Sequence, residues 1–252
     1  MADRRVLLGM LTPSSNTALE PITAAMLAGL PEVSAHFARF RVTEISLRSQ
    51  ALGQFDETPI LEAARLLADA RVDVIAWNGT SSGWLGFEAD EALCARITAE
   101  TGIPACTSVL ALNEAMRLAG RTRFGLLSPY LAEVQQRIVA NYARSGFDCV
   151  AEQHLGLSVN FEFSEVTWAQ IEAMAREALG PAALAPAGRA DAGPQCLTTF
   201  CTNLRAAPLV PALEAALGLP VYDTVATAVW KSLRLAGVDT RRVLGWGSLF
   251  AL

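Results

Sequence analysis

The chain has 252 residues, of which 52% are hydrophobic and only 18% are charged, and its formal net charge is −5. This composition excludes a disordered chain, and the absence of a basic run argues against a nucleic-acid partner. Five cysteines without a CxxC or paired pattern, beside two histidines, indicate reduced thiols in a cytoplasmic protein and no metal site. No secretory signal or apolar run of about 18 residues is visible, so we expect no membrane association.

Strand-like and helical patterns alternate along the first half. The short apolar run Val6–Leu11 is typical of a strand buried on both faces, as in a parallel sheet. Further strands are predicted at Phe37–Ile45, Val72–Trp77 and Ile103–Cys106, and helices at Thr17–Leu30, Thr58–Ala70, Asp90–Thr101 and from the Thr107 or Ser108 cap to Leu118.

The second half repeats this order. Strands are predicted at Phe124–Leu127, Cys149–His154, Gln195–Phe200 and Val221–Tyr222, and helices at Leu131–Ser145, Thr167–Leu179, Leu209–Leu217 and from the Asp223 cap to Leu235, with a loop at Gly180–Gly193. Such alternation favours parallel sheets with helices on both faces. Ligands bind such sheets at the carboxyl ends of their strands, so we look for function there.

Two motif pairs recur at one common offset. Gly9, which precedes Thr12-Pro13-Ser14, matches Gly125, which precedes Ser128-Pro129-Tyr130, and Gly102-Ile103-Pro104 matches Gly218-Leu219-Pro220. A shared offset at separate motifs predicts two similar halves that face each other across a cleft. We therefore expect two α/β lobes, 1–119 and 120–237, each with a parallel, flavodoxin-like sheet, related by a pseudo-two-fold axis. The tail 238–252 is expected to pack back on the first lobe.

Short uncharged segments rich in hydroxyl groups follow four of the predicted strands. Hydroxyls and backbone N–H groups at such places bind anions without a basic residue, so we expect a carboxylate or dicarboxylate in the cleft. Ordinary helix capping is the alternative. The expected carboxylate-binding residues are Ser14, Asn16, Gly79, Thr80, Ser81, Tyr130, Thr202 and Asn203. The walls are expected from Pro13 and from the segments Ile45–Phe55 and Leu155–Phe163, the latter through Val159 and Phe161.

Cys201 carries the one chemical difference between the halves. It ends a predicted strand beside polar donors, and Cys201-Thr202-Asn203 matches Gly79-Thr80-Ser81 in the first half. The thiol is predicted to be catalytic, as a general acid or, when ionised, as a base or nucleophile. The alternative, a small buried hydrophobe, is our interpretation of the other four cysteines. No dinucleotide or phosphate-loop pattern is present, so no cofactor is expected.

Several of these motifs together resemble the aspartate/glutamate racemase superfamily, in the branch of maleate isomerases and arylmalonate decarboxylases. The resemblance covers nearly the whole chain: Gly9 with Pro13–Asn16, Ser128-Pro129-Tyr130, Cys201–Leu204 and the closing Gly245–Phe250. Racemases of this superfamily use two facing cysteines, and maleate isomerase uses its first-half cysteine as a nucleophile. The resemblance implies that Gly79 occupies the position of this first-half cysteine, as a glycine does in arylmalonate decarboxylase. The segment Ser14–Asn16, in contrast, resembles the isomerase.

The missing second thiol makes the leading expectation a cofactor-independent decarboxylase of a substituted malonate-like diacid. Cys201 would protonate the enediolate that is left after loss of carbon dioxide. The alternatives are an isomerase or racemase of a small dicarboxylate, similar to maleate isomerase, and a non-catalytic carboxylate-binding protein. A small-molecule carboxylate is the expected partner, bound by a monomer or a homodimer.

Overall fold

Two parallel four-stranded sheets form the framework of the protein, in a computed structural model that describes residues 4–55, 57–183 and 193–252. The first sheet has the order β2-β1-β3-β4 and the second the order β6-β5-β7-β8. The strands are β1 Val6–Pro13, β2 Val33–Phe40, β3 Val74–Trp77, β4 Ala105–Thr107, β5 Arg123–Ser128, β6 Asp148–His154, β7 Cys196–Thr199 and β8 Val221–Asp223.

Helices connect the strands and cover both sheets. They are α1 Leu19–Leu27, α2 Ser49–Leu52, α3 Glu57–Asp69, α4 Ser82–Leu85, α5 Phe87–Thr101, α6 Ser108–Leu118, α7 Ala132–Arg144, α8 Trp168–Ala183, α9 Val210–Leu217 and α10 Thr224–Leu235. Helix α8 has a non-helical residue at Gly180, where the predicted loop begins, and most of that loop lies outside the described residues. None of the helices in the described ranges has the length and apolarity needed to cross a bilayer.

The identical strand order in the two sheets confirms the predicted pair of similar α/β lobes. The last helix of each lobe is capped as its sequence suggests: Thr107 accepts a hydrogen bond from the Leu110 N–H at 3.1 Å, and Asp223 accepts one from the Val225 N–H at 2.8 Å. The two caps are separated by the same offset as the repeated glycines. Matching local signals therefore produce matching helix starts in both lobes.

The two lobes are joined through α6 and α10, which pack against each other. The Thr227 hydroxyl in α10 donates to the Ser108 carbonyl of α6 at 2.8 Å, and one hydrophobic core extends through both lobes. The segment after α10 contacts both lobes. Arg242 pairs with Glu32 of the first lobe, and the Ser248 N–H donates to Glu214 of the second.

Beyond β2 the chain of the first lobe contacts the second lobe. The predicted strand Phe37–Ile45 is replaced by β2, which ends at Phe40, and Glu44 forms an isolated antiparallel bridge with Val159. The Ile45 N–H donates to the Ser158 carbonyl at 2.8 Å, and the Asn160 N–H donates to the Thr43 carbonyl at 2.9 Å. This pairing brings the two segments that were expected to wall the cleft against each other.

Candidate active site

A small cavity lies between the lobes where β1, β3, β5 and β7 end. Its volume, counted as the space that the centre of a water molecule can occupy, is about 20 Å³, which is room for roughly one water molecule. It is lined by Pro13, Val42, Ile45, Phe55, Trp77, Gly79, Thr80, Ser81, Trp84, Tyr130, Asn160, Cys201 and Thr202. The structure thus brings together seven predicted site residues: Pro13, Gly79, Thr80, Ser81, Tyr130, Cys201 and Thr202.

Cys201 lies just beyond the end of β7 and is only 2% exposed. Burial raises the pKa of its thiol to about 11, although hydrogen bonds from the Tyr130 hydroxyl and the backbone N–H groups of Asn203 and Leu204 act in the opposite direction. The thiol is therefore protonated at neutral pH. Such a group is suited to donate a proton to a carbanion rather than to attack as a thiolate.

A hydroxyl pair extends from this thiol toward the first lobe. The Tyr130 hydroxyl lies 2.6 Å from the Thr80 hydroxyl, and burial raises the pKa of Tyr130 well above its usual range. Tyr130 is therefore neutral and able to donate. When it donates to the sulfur of Cys201, Thr80 donates in turn to Tyr130, which orients both hydroxyls.

The segment after β3 offers unused hydrogen-bond donors to the cavity. In the part of the chain that the structure describes, the backbone N–H groups of Gly79, Thr80 and Ser81 have no hydrogen-bond partner, and neither does the Ser81 hydroxyl. Buried N–H groups are normally paired, so a run of unpaired ones beside a cavity indicates a place for an acceptor. Since no described Lys, Arg or His lines this cavity, neutral dipoles would hold an anion here.

Asn16 lies behind the cavity and connects the lobes. Its side-chain oxygen accepts hydrogen bonds from the N–H groups of Ala18 and Leu19, which caps α1. Its amide nitrogen donates to the Thr202 hydroxyl at 3.2 Å, and that hydroxyl donates to the Asn78 carbonyl at 3.0 Å. The arrangement holds Thr202, which does line the cavity, in a fixed orientation.

Asn203 and Ser14 also lie outside the cavity lining. The side-chain oxygen of Asn203 accepts from the Thr17 N–H at 2.9 Å, and its nitrogen donates to the Asn160 carbonyl at 2.6 Å. Ser14 is exposed, and its hydroxyl accepts from the Val42 N–H at 3.2 Å. For Asn16 and Asn203 the geometry therefore fits the capping alternative better than direct contact with a ligand, and Ser14 holds the loop after β2 instead of a ligand.

Two residues expected in the wall are placed elsewhere. Val159 and Phe161 are 44% and 50% exposed and do not line the cavity, because the short 3-10 helix Asn160–Glu165 turns them to the surface and turns Asn160 inward. Ile45 and Phe55 come from the other expected wall segment, as predicted. Asn160 comes from the expected wall segment Leu155–Phe163, whereas the wall residues Val42, Trp77 and Trp84 lie outside both expected segments.

Trp77 occupies the space where a side chain at position 79 would stand. A Cβ atom built on Gly79 would lie 1.9 Å from the indole Cζ2 of Trp77. Trp77 ends β3, and residues two apart along an extended chain project to the same face, which explains the overlap. Among the described residues Cys201 is therefore the one thiol at this cavity, and an indole stands on the side of the first lobe.

Comparison with known proteins agrees with this fold. The chain is 26% identical over 243 residues to a maleate isomerase of Geobacillus stearothermophilus, with 92% of each chain covered. It is 26% identical over 194 residues to an arylmalonate decarboxylase of Bordetella bronchiseptica, with 76% of each covered. A solved maleate cis-trans isomerase of Nocardia farcinica superposes with a TM-score of 0.84 at 24% identity, over 97% of this chain and 98% of that one. The profile of the arylmalonate decarboxylase family matches residues 8–250, and the chain belongs to that family.

Proposed function

We propose that the protein is a cofactor-independent decarboxylase of a small substituted malonate-type dicarboxylic acid, with Cys201 as its proton donor. One observation carries the proposal: among the described residues a single, protonated thiol lines the cavity, and Gly79 under the Trp77 indole stands where the resemblance implies a second thiol in the isomerases. Racemisation by two thiols needs a proton acceptor and a proton donor on opposite faces of one carbon. This cavity supports only the donating step.

The donors after β3 suit the carboxylate that stays on the product. Because the cavity as it stands has room for roughly one water molecule, its walls would have to move outward to admit a dicarboxylate. The N–H groups of Gly79, Thr80 and Ser81 would then bind the oxygens of the retained carboxylate, with help from the Tyr130 hydroxyl. These same donors face the negative charge that grows on those oxygens as the enediolate forms. A well-placed donor of this kind stabilises a transition state by about 3–4 kcal/mol.

The apolar wall suits the carboxylate that leaves. Val42, Ile45 and Phe55 offer it no hydrogen bonds from their side chains, which favours loss of its charge as neutral carbon dioxide. The bond between this carboxyl carbon and the α-carbon breaks, and its electron pair stays on the α-carbon as part of the enediolate. Cys201 then gives its S–H proton to the α-carbon, and solvent water reprotonates the thiolate.

Isomerisation of a small dicarboxylate is the second candidate, because a relative named maleate isomerase matches over 92% of each chain. One solved relative carries a covalently bound succinylcysteine intermediate. An equivalent step here would require Cys201 to act as a thiolate nucleophile. Its burial works against that role.

Proton NMR in deuterated buffer separates the candidates. The wild-type protein is incubated with methylmalonate, phenylmalonate and maleate in turn, and carbon dioxide release is followed in parallel. We expect loss of carbon dioxide with one deuterium on the product α-carbon, no turnover in Cys201→Ala, and normal turnover in Cys196→Ala. Conversion of maleate to fumarate without carbon dioxide would establish the isomerase instead. Binding without any turnover would establish a carboxylate-binding protein.

A further inference from the structure

A second cavity lies directly behind the first, between α3 and α5. It is lined by Phe55, Ile60 of α3, Trp77, Ser81 and Leu93 of α5, among others, and about 40 Å³ of it is open to the centre of a water-sized sphere. We call it the rear recess. Phe55, Trp77 and Ser81 line both cavities. Trp77 is the largest of the three and only 1% exposed, so its indole is the main partition between them.

The partition is held in place on two sides. The indole of Trp77 lies 5.0 Å from the ring of Phe40, centroid to centroid, at an interplanar angle of 44°. On its other side it lies against Gly79, where the missing side chain leaves room for it. An aromatic side chain confined in this way does not move aside at low cost, because buried side chains are closely packed.

The rear recess suits an apolar group. Besides Phe55, Ile60 and Leu93, its lining includes two carboxyl groups, and both already have partners. Asp90 accepts a hydrogen bond from the Ser82 hydroxyl at 2.7 Å, and Glu57 pairs with Arg96. An apolar substituent placed here would therefore displace no charge from its partner.

We propose that Trp77 is a specificity-determining residue that limits the substrate's α-substituent to a small aliphatic group by closing off the rear recess. The substrate class rests on the function proposed above, whereas Trp77 would limit the size of any small dicarboxylate bound beside Cys201. Trp77→Leu joins the two cavities and makes room for an aryl substituent. The preference is thereby set by one side chain that contacts the substrate's substituent.

Binding of unreactive dicarboxylates tests this inference without relying on turnover. Methylsuccinate and phenylsuccinate are titrated calorimetrically into the wild type, Trp77→Leu and Trp230→Leu. Trp230 is fully buried and lines neither cavity, so its variant controls for the loss of a core tryptophan. We expect the wild type and Trp230→Leu to prefer methylsuccinate at least tenfold, and Trp77→Leu to bind phenylsuccinate at least tenfold more tightly than the wild type does.

A second substitution tests whether the gain in phenylsuccinate affinity arises from the rear recess. In the double variant Trp77→Leu/Leu93→Phe the larger ring refills the recess, so the tenfold gain for phenylsuccinate should disappear. Trp77→Phe, which keeps a ring against Phe40, replaces Trp77→Leu if circular dichroism shows that the latter is unfolded. An unchanged ratio of the two affinities in a folded Trp77 variant, or a gain that survives Leu93→Phe, overturns the inference.

Turnover measured on the same variants separates this inference from the proposed function. If the binding preference shifts as expected while no variant releases carbon dioxide from methylmalonate or phenylmalonate, the decarboxylase proposal fails and the proposal for Trp77 stands. If the wild type decarboxylates both malonates at similar rates and Trp77→Leu does not change the ratio of these rates, the proposal for Trp77 fails and the decarboxylase proposal stands.

Discussion

The hydroxyl oxygens of Thr80 and Tyr130 lie 2.6 Å apart and join the segment after β3 of one lobe to the segment after β5 of the other. Because the Tyr130 hydroxyl also lowers the pKa of the Cys201 thiol, functional groups from three strand ends influence one another at this cavity. The polar side of the cavity is thus assembled only when both lobes are in place. Removal of the Tyr130 hydroxyl tests what this group contributes.

Tyr130→Phe should lower kcat about 100-fold, since removal of one preorganised donor to a developing oxyanion costs about two to three orders of magnitude. Steady-state decarboxylation kinetics measure the effect. Tyr142→Phe is the matched control, because the buried Tyr142 hydroxyl has no hydrogen-bond partner among the described residues. Its removal should leave activity unchanged and stability equal or slightly higher. Equal rates for Tyr130→Phe and the wild type would remove this hydroxyl from the mechanism.

The protonation of Cys201 should persist well above neutral pH. With its pKa raised to about 11 by burial, about one thiol in a thousand is ionised at pH 8. Iodoacetamide should therefore modify Cys201 slowly at pH 8 and faster toward pH 11, as followed by mass spectrometry. Ionisation of Cys201 should not lower the decarboxylation rate until the pH exceeds about 10, because the proton donor must keep its proton. Rapid modification at pH 7 would point to a thiolate nucleophile.

Gly79→Cys should destabilise the protein and should not by itself produce a two-thiol site. The new Cβ would meet the Trp77 indole at 1.9 Å, and overpacking of this kind costs about 1–3 kcal/mol in unfolding free energy. In a Trp77→Leu background the same substitution should cost less, because the indole no longer occupies this space. Thermal unfolding measures both. Gly29→Ala is the control, because a Cβ there meets nothing within 4 Å, and a Gly79→Cys variant as stable as this control would contradict the described Trp77 position.

Asp90 should make stability depend on pH between about 4 and 6. Burial raises its pKa from 3.8 to about 6, so the folded protein keeps a proton that the unfolded chain releases in that interval. The contribution of Asp90 to stability therefore falls as the pH rises from 4 to 6, by about 3 kcal/mol. Asp90→Asn keeps an acceptor for the Ser82 hydroxyl and should flatten this dependence.

Urea unfolding of Asp90→Asn and the wild type at pH 4.5 and pH 8 tests this expectation. The variant should gain stability relative to the wild type only at the higher pH. Glu91→Gln, at an exposed position of the same helix, is the control and should show no such gain. A gain for Asp90→Asn that is the same at both pH values would exclude the titration of Asp90 as its cause.

Local patterns predicted the architecture because both lobes repeat them. The buried runs that became β1 and β5, and the caps Thr107 and Asp223, are short-range signals that tertiary packing did not override. The four-residue helix α4 was not predicted, because its sequence Ser-Gly-Trp-Leu has too few residues to show a period. The pairing of residues 43–45 with the other lobe also has no local signature.

The cavity was predicted better on its polar side than on its apolar side. Strand ends placed Thr80, Tyr130 and Cys201 together because the parallel strands of each sheet end at one edge and the repeat predicted that the two lobes face each other. The roles of Val42 and Trp84 depend on how distant segments pack, which no spacing encodes. For Trp77 a signal was available, since a bulky residue two positions before a glycine in an extended chain shares its face.

The hydrogen bonds that tie helix α1 to the opposite lobe have a thermodynamic consequence. Asn203 supplies the acceptor for the Thr17 N–H, and Asn16 reaches across to Thr202, so the start of α1 is complete only in the presence of the second sheet. Each half of the molecule has its own sheet, yet neither contains all the partners its buried groups require. Calorimetry should therefore record one cooperative melting transition rather than two, and the halves expressed as separate polypeptides should not fold independently.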